Sequence, residues 1–551
     1  MKTFIYVTAA AIYEENLMEV KTVFIRKTSG LVRPFGATDA TLIYTLIIFA
    51  ILNTTLQFPW FYGFWPGADL NVALAFALIP TLLVAVVYWC LAVAMPRSGS
   101  DYVWFARIVH PAVGFGWSAV YFYMYLCAGF ITVCFTYGYT TSMTLVVWGM
   151  LYNAPGLVSL GTWFQSTEGS LLFGLVLMVV YGALTMLGHK TAKALLYAGW
   201  IIQSIALVLL WAILGTANPT TFAPKWDTLM SKYITYEAVF KTAESAGWTL
   251  TPVTLGATLS SVAFTFMLLS GAAMGAGTIS GEIRNVNRSV PIALFLANIF
   301  SFIIWTLCNI AEISAVGVNW LSAISWVWCN KPDVYPLPFP PSMPLMLGIV
   351  CYPNQSLSLL VLGTFVLANI AFAFVLLMTA ARYWFAWSFD RLVPTKLAEV
   401  NDRFKTPHYA LAVSTVIAMI TAFLFAYLGF AAWFAAVSTL MVLSYGVVAL
   451  TTVVFPFTRW KGLLDTLPKF MGKRIAGVPA ISIISAITAL ILFYAAYAVA
   501  VNPLLTANAG LAALLFGSIF IAAIVIYFVS KVYHSRQGID ITLQFKEIPP
   551  T

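Results

Sequence analysis

The chain has 551 residues, 61% of them hydrophobic and only 9% charged, against about 25% charged in an average soluble domain. That composition excludes a soluble globular enzyme. The formal net charge of +9 comes without the basic runs interleaved with aromatics that nucleic-acid binding needs, which excludes that partner as well.

Residues 1–35 read as a cytoplasmic N-terminal segment. Phe4–Tyr13 is too short to span a bilayer and lacks the basic start and cleavage pattern of a signal peptide. Met18 is an alternative start. Apolar runs of about 20 residues, the length that crosses a bilayer, then give twelve candidate spans. They lie near 39–61, 72–95, 114–138, 169–187, 194–215, 254–281, 291–314, 356–388, 408–428, 431–455, 478–501 and 507–533. Placing the N-terminus in the cytoplasm puts 24 of the 28 lysines and arginines on the inner side, leaving Lys225, Lys232, Lys241 and Lys331 outside. Basic loops stay in the cytoplasm, so a multi-pass protein of the cell membrane with both termini inside, including the tail 534–551, is expected.

Span one is interrupted by Asn53-Thr54-Thr55, and span five carries a single amide, Gln203. The loops 216–253 and 315–355 fall outside. The second is rich in Trp and Pro, which suits a short interfacial cap. It holds Cys329 and Cys351, and a disulfide between them is open on the oxidising side. Cys90, Cys127, Cys134 and Cys308 lie within spans and read as small hydrophobic packing.

The richest stretch is Ser260–Pro291, SSVAFTFMLLSGAAMGAGTISGEIRNVNRSVP. An apolar helix meets Ser270-Gly271-Ala272 at mid-depth and ends in Glu282-Ile283-Arg284-Asn285. A helix loosened inside a bilayer frees backbone groups, which is tolerated only where they are buried in protein or line a cavity. Interruptions at corresponding places, spans one and six, point to a binding site between two inverted halves. The competing reading is a close helix contact, since Gly271 and Gly275 stand four apart. In span seven, Glu312 lies 21 residues after Pro291, roughly 30 Å along a helix, and reads as a solvated rim acid, with a proton relay as the alternative. Glu282, Arg284, Asp390 and Arg391 read as inner-face ion pairs or gates, and Tyr121, Phe122, Tyr123 and Tyr125 as packing, with a pocket wall from one of them as the alternative. The four histidines, His110, His189, His408 and His534, fall at loops or span ends, so none pairs across the bundle to hold haem. No zinc, Walker or serine-triad pattern appears, and neither an enzyme nor a cofactor is expected.

Three inner segments carry a resemblance. Pro96–Trp117 (PRSGSDYVWFARIVHPAVGFGW), Glu282–Pro291 (EIRNVNRSVP) and Arg382–Pro407 (RYWFAWSFDRLVPTKLAEVNDRFKTP) resemble, in order, the loops after spans two, six and eight of the amino acid–polyamine–organocation permease superfamily. The resemblance covers about residues 20–455. It implies an all-α polytopic fold of twelve transmembrane helices: a five-helix repeat at 36–215, its inverted copy at 254–455, and two further helices at 478–533. It also implies a secondary transporter that moves amino acids or related organic amines or acids by alternating access, coupled to H+ or Na+. The expected substrate-binding residues are Asn53, Thr54, Thr55, Ser270, Gly271 and Ala272, with Gln203 in support.

The chain departs from the superfamily where substrate is recognised. Asn53-Thr54-Thr55 replaces a glycine-rich break, and Ala272, Ala273 and Met274 follow Ser270-Gly271 where an aromatic and an acid are common. A smaller, less polar or differently charged substrate becomes credible. Gln203 stands where proton-coupled members place a lysine, and Ala371 and Val375 where sodium-coupled members use hydroxyls. Neither coupling device is intact. The alternative function is a transport-inactive sensor or an accessory membrane subunit of the same fold.

Overall fold

The computed structural model describes residues 32–48, 58–370, 374–427, 431–501 and 509–549. Asn53, Thr54, Thr55, Ala371 and the residues around Met18 lie outside them. The protein is helical apart from a two-residue strand pair, Arg474–Ile475 against Val478–Pro479, and a single bridge between Phe35 and Ile283.

The first half runs through α1 (Ala37–Ile48), α2 (Phe58–Phe64), α3 (Leu70–Ala94), α4 (Ser100–Ile108), α5 (Pro111–Tyr123), α6 (Thr132–Leu151), α7 (Pro155–Gln165), α8 (Thr167–Met186) and α9 (His189–Leu214). The starts follow local chemistry. The Asp69 carboxylate accepts from the Asn71 and Val72 amides at the head of α3, and Ser166 accepts from Gly169 at the head of α8. Both satisfy donors that a helix N-terminus leaves unpaired. The second half continues through α10 (Pro219–Met230), α11 (Tyr236–Ser245), α12 (Leu255–Ser260), α13 (Val262–Leu269), α14 (Ala272–Ile279), α15 (Val286–Val316), α16 (Val318–Asn330), α17 (Met343–Cys351), α18 (Gln355–Ile370), α19 (Phe374–Phe389), α20 (His408–Tyr427), α21 (Ala431–Val454), α22 (Ala480–Ala500) and α23 (Ala509–Arg536).

Among the described residues seven helices are long and apolar enough to cross a membrane, or eight if α13 and α14 count as one bent span. Their surfaces say what surrounds them. On α9, Tyr197, Ile201, Ile205 and Val208 are exposed at helical spacing, while Gln203, Ala206, Leu207 and Leu210 are buried. A continuous apolar stripe on the outside would aggregate in water, and hydrocarbon is the solvent that covers it. The chain is a helical, multi-pass membrane protein.

The segments 216–253 and 315–355 fold more fully than their composition suggests. Helices α10, α11 and α16 close around Phe222, Trp226, Tyr236 and Trp320, with Trp226 and Trp320 ring centroids 4.7 Å apart and Tyr236 stacked on Trp320 at 5.2 Å. The Tyr236 hydroxyl donates to the Val316 carbonyl at 2.7 Å, tying this cap to the end of α15. Trp320→Ala should lower the thermal stability of the purified protein, because removing a buried aromatic costs about 3–5 kcal/mol. An unchanged melting temperature would contradict a cohesive cap. Cys329 packs against Gly63 of α2, Cys351 ends α17, and both are free, so no disulfide joins them.

Candidate functional site

The site is built around the junction of α13 and α14, where the chain bends by 41°. The Ala273 and Met274 amides turn back to the Ser270 and Gly271 carbonyls at 3.3 and 3.1 Å. These three-residue closures interrupt the four-residue ladder of an α-helix. Gly271 and Gly275 face α1. A Cβ on Gly271 would stand 3.1 Å from the Ile47 carbonyl oxygen, and one on Gly275 only 2.4 Å from the Tyr44 ring. The stretch therefore bends, and it also packs closely on α1, with Gly271 against the Ile47 backbone and Gly275 against the Tyr44 ring.

Tyrosines hold the bend from the other side. Tyr445 of α21 donates to the Ser270 carbonyl at 3.1 Å, and Tyr125, in the wide-turn segment between α5 and α6, donates to the Met274 carbonyl at 3.1 Å. The phenol hydroxyls thus add a second donor to carbonyls at the bend, which already accept from the Ala273 amide and the Thr278 hydroxyl. Below them the Tyr88 and Tyr121 hydroxyls pair at 3.3 Å, and Tyr383 of α19 donates to Asp101 Oδ2 at 2.6 Å. Asp101 Oδ1 accepts from the Tyr102 amide at 2.9 Å. Gly277 of α14 comes so close that a Cβ there would sit 3.2 Å from Asp101 Oδ2. Asp101 is fully buried. Burial pushes its carboxyl up to about 7, against hydrogen bonds from Tyr383 and the Tyr102 amide that favour the ionised form.

Past Asp101 the bundle is shut at its basic end by ion pairs. Arg382 of α19 grips Glu282 with two bonds of 2.6 and 2.9 Å, and Ser98 adds a third donor to the same carboxylate. Arg107 of α4 makes two bonds of 2.6 and 2.8 Å to Asp390, which also accepts from Tyr102 at 2.6 Å. Lys193 and Tyr197 of α9 meet Asp39 of α1 at 2.8 and 2.9 Å. Backbone bonds complete the closure: the Gly99 amide donates to Thr278, and the Arg284 amide to Phe35. Gly281 admits this contact because a side chain there would strike the Arg97 backbone at 2.6 Å. Charged pairs out of water must be doubly bonded to persist, and the first two of these are.

The predicted residues divide. Ser270, Gly271 and Ala272 form the bend and are buried. Gln203 is buried on α9, and its amide donates to the Ala368 carbonyl of α18 at 3.5 Å, which joins two helices rather than reaching the bend. Glu282 and Asp390 pair as expected of inner-face charges, though with Arg382 and Arg107. Tyr121 and Tyr125 belong to the hydroxyl file and not merely to packing. Glu312 corrects its sequence reading. It lies four residues from the end of α15, as its depth implied, yet it is wholly buried and neither oxygen has a hydrogen-bond partner. The rim is not solvated at this position, and Tyr62 of α2 stands beside the carboxyl. Beside it Tyr62 donates to Asn309, which donates in turn to Asn71. Asp101, Tyr383 and Tyr445 were missed. Asp101 stood in plain view within Pro96–Trp117, but nothing local marks it as buried.

No group of three or more His, Cys, Asp or Glu among the described residues is placed to hold a metal. Compared with known protein families, the chain matches the amino acid permease family over residues 40–526. A search of curated proteins finds no match.

Proposed function

The chain belongs to the amino acid permease family, whose members are transporters and not enzymes, and from that premise we propose that it is a secondary active transporter. Its substrates are amino acids or related organic amines or acids, moved by alternating access and driven by a coupled ion. The fold we propose has twelve spans. A five-helix repeat at 36–215 is followed by its inverted copy at 254–455 and two more helices at 478–533. The basic end and both termini are cytoplasmic. Substrate sits at mid-membrane between spans one and six, against Ser270, Gly271 and Ala272 and against Asn53, Thr54 and Thr55. Gln203 supports the neighbouring helices.

The observation that carries this reading is the 41° bend at Ser270-Gly271, buried and held by tyrosine hydroxyls above a basic end that is closed by ion pairs. A broken span offers amide N–H groups to a carboxylate and carbonyls to an ammonium, each strengthened by the dipole of its half-helix. A permease must shut one side while the other opens. The pairs Arg382–Glu282 and Arg107–Asp390 are fit to be such a gate because each joins elements far apart in the chain.

The test is uptake by proteoliposomes of a labelled amino acid and amine panel, with and without an inward proton gradient and with and without sodium. Saturable uptake that responds to one gradient is the expected result. Well-folded protein that moves none of the compounds would contradict transport and favour a sensor or accessory subunit of the same fold.

A further inference from the structure

We propose that Asp101 is the proton-carrying group of this transporter, protonated while the basic end is closed and releasing its proton to the cytoplasm when that end opens. The proposal rests on the permease reading above and supplies the coupling ion that reading leaves open.

Three moving parts meet on this one carboxylate. Asp101 sits on α4, which also supplies Tyr102 and Arg107 to the gate acid Asp390. Its Oδ2 takes the Tyr383 hydroxyl from α19, the helix that carries the gate residue Arg382. The same oxygen lies against Gly277 in the second half of the bent span. Parting the gate must therefore disturb the surroundings of Asp101, and a change of charge on Asp101 must bias the gate.

The chemistry of the surroundings selects the ion. Facing Asp101 are Tyr88 from α3, Tyr121 and Tyr125 from the third predicted span, Tyr383 from α19 and Tyr445 from α21. The bent span presents only backbone at Gly277. The tail segment 541–547 reaches α4 through Arg107 instead. The adjacent charges, Arg107 with Asp390 and Arg382 with Glu282, are paired with each other. No cation is paired with Asp101 among the described residues. A proton needs no cavity, whereas a sodium ion needs several oxygen ligands and an organic ammonium needs room. This fully buried, close-packed carboxylate fits the proton.

The step balances simply. A proton from the outer solution forms one O–H bond at the carboxylate; on opening, that bond breaks and the proton passes to cytoplasmic water, with no electron transferred. The direction follows from burial. Closed, the carboxyl titrates at about 7; opened and hydrated, it returns toward its ordinary value of 3.8. Protonation therefore favours the closed basic end. That preference is complete below the ordinary carboxylate value and is lost as pH rises through about 7. Tyr125, hydrogen-bonded to Tyr383 and donating to the Met274 carbonyl, links the same event to the bend.

The experiment uses the full chain in proteoliposomes and two readouts. Infrared titration should show a protonated carboxyl band that disappears with a midpoint near pH 7. Asp101→Asn should remove that band, and Tyr383→Phe should move its midpoint upward, because the lost hydrogen bond favours the ionised form. In transport, Asp101→Asn should lose stimulation by an inward proton gradient and, as a neutral mimic of the protonated carboxyl, should exchange labelled amino acid more slowly at equal pH on both sides. Glu312→Gln, which removes a second fully buried carboxyl with no paired cation among the described residues, should leave the band and the stimulation in place. The proposal is overturned if Asp101→Asn keeps the band and the stimulation, or if Glu312→Gln removes them. Wild-type protein that exchanges none of the panel contradicts the permease reading instead, and the infrared titration then still decides whether Asp101 holds the proton.

Discussion

Arg382→Ala should destabilise the closed protein by about 3–5 kcal/mol, the usual cost of removing one partner of a buried ion pair. Both side chains are about 5% exposed, and the Glu282 carboxylate takes two bonds from the Arg382 guanidinium. Without Arg382 that carboxylate keeps only the Ser98 hydroxyl. It must then protonate or admit water, and either route loosens the contact between α19 and the turn after α14. The comparison that isolates the pair is the double variant Glu282→Leu with Arg382→Met, which removes both charges and should recover much of the loss. Thermal unfolding of the three proteins in nanodiscs checks this. Equal melting temperatures for wild type and Arg382→Ala would show that the pair does not hold the basic end.

Gly271→Leu should abolish transport and leave the protein folded. The Cβ alone would stand 3.1 Å from the Ile47 oxygen, a tight contact that a shift of a few tenths of an ångström relieves. The rest of a leucine side chain has no such outlet and would wedge α14 from α1 across the proposed substrate position. Gly271→Ala should therefore keep part of the flux and Gly271→Leu none, with both proteins retaining the basic-end pairs. Flux measured in proteoliposomes beside melting curves separates a blocked site from a failed fold. Wild-type flux in Gly271→Leu would remove Ser270–Ala272 from the transport path.

The bend was legible because its signal is local: Ser270-Gly271 within an apolar run, followed by Gly275 and Gly277, is readable in a dozen residues. The charges of the basic end were half legible. Glu282 and Asp390 at span ends must find partners, but those partners lie 100 and 283 residues away, and no spacing rule reaches that far. Asp101 is the harder case. Five tyrosines from four predicted spans close over it, and only the folded bundle brings them together. Glu312 shows the opposite error. Its depth along α15 follows from the helix rise, but its burial beside Tyr62 of α2 is a long-range contact. The segment 315–355 likewise read as a short interfacial cap, yet it folds together with 216–253. The Trp226–Trp320 packing that makes them a cap is again a long-range contact.

On the proposed function, the bend at Ser270-Gly271 lies on a path closed at the basic end by ion pairs. The most direct test is Ser270→Cys, a near-isosteric change, in a background without the six native cysteines. A membrane-impermeant thiol reagent is added at the basic face, with Arg382 intact and with Arg382→Ala. The introduced cysteine should be protected while Arg382 is present and labelled rapidly once it is gone. Protection that is the same in both backgrounds would contradict this closure.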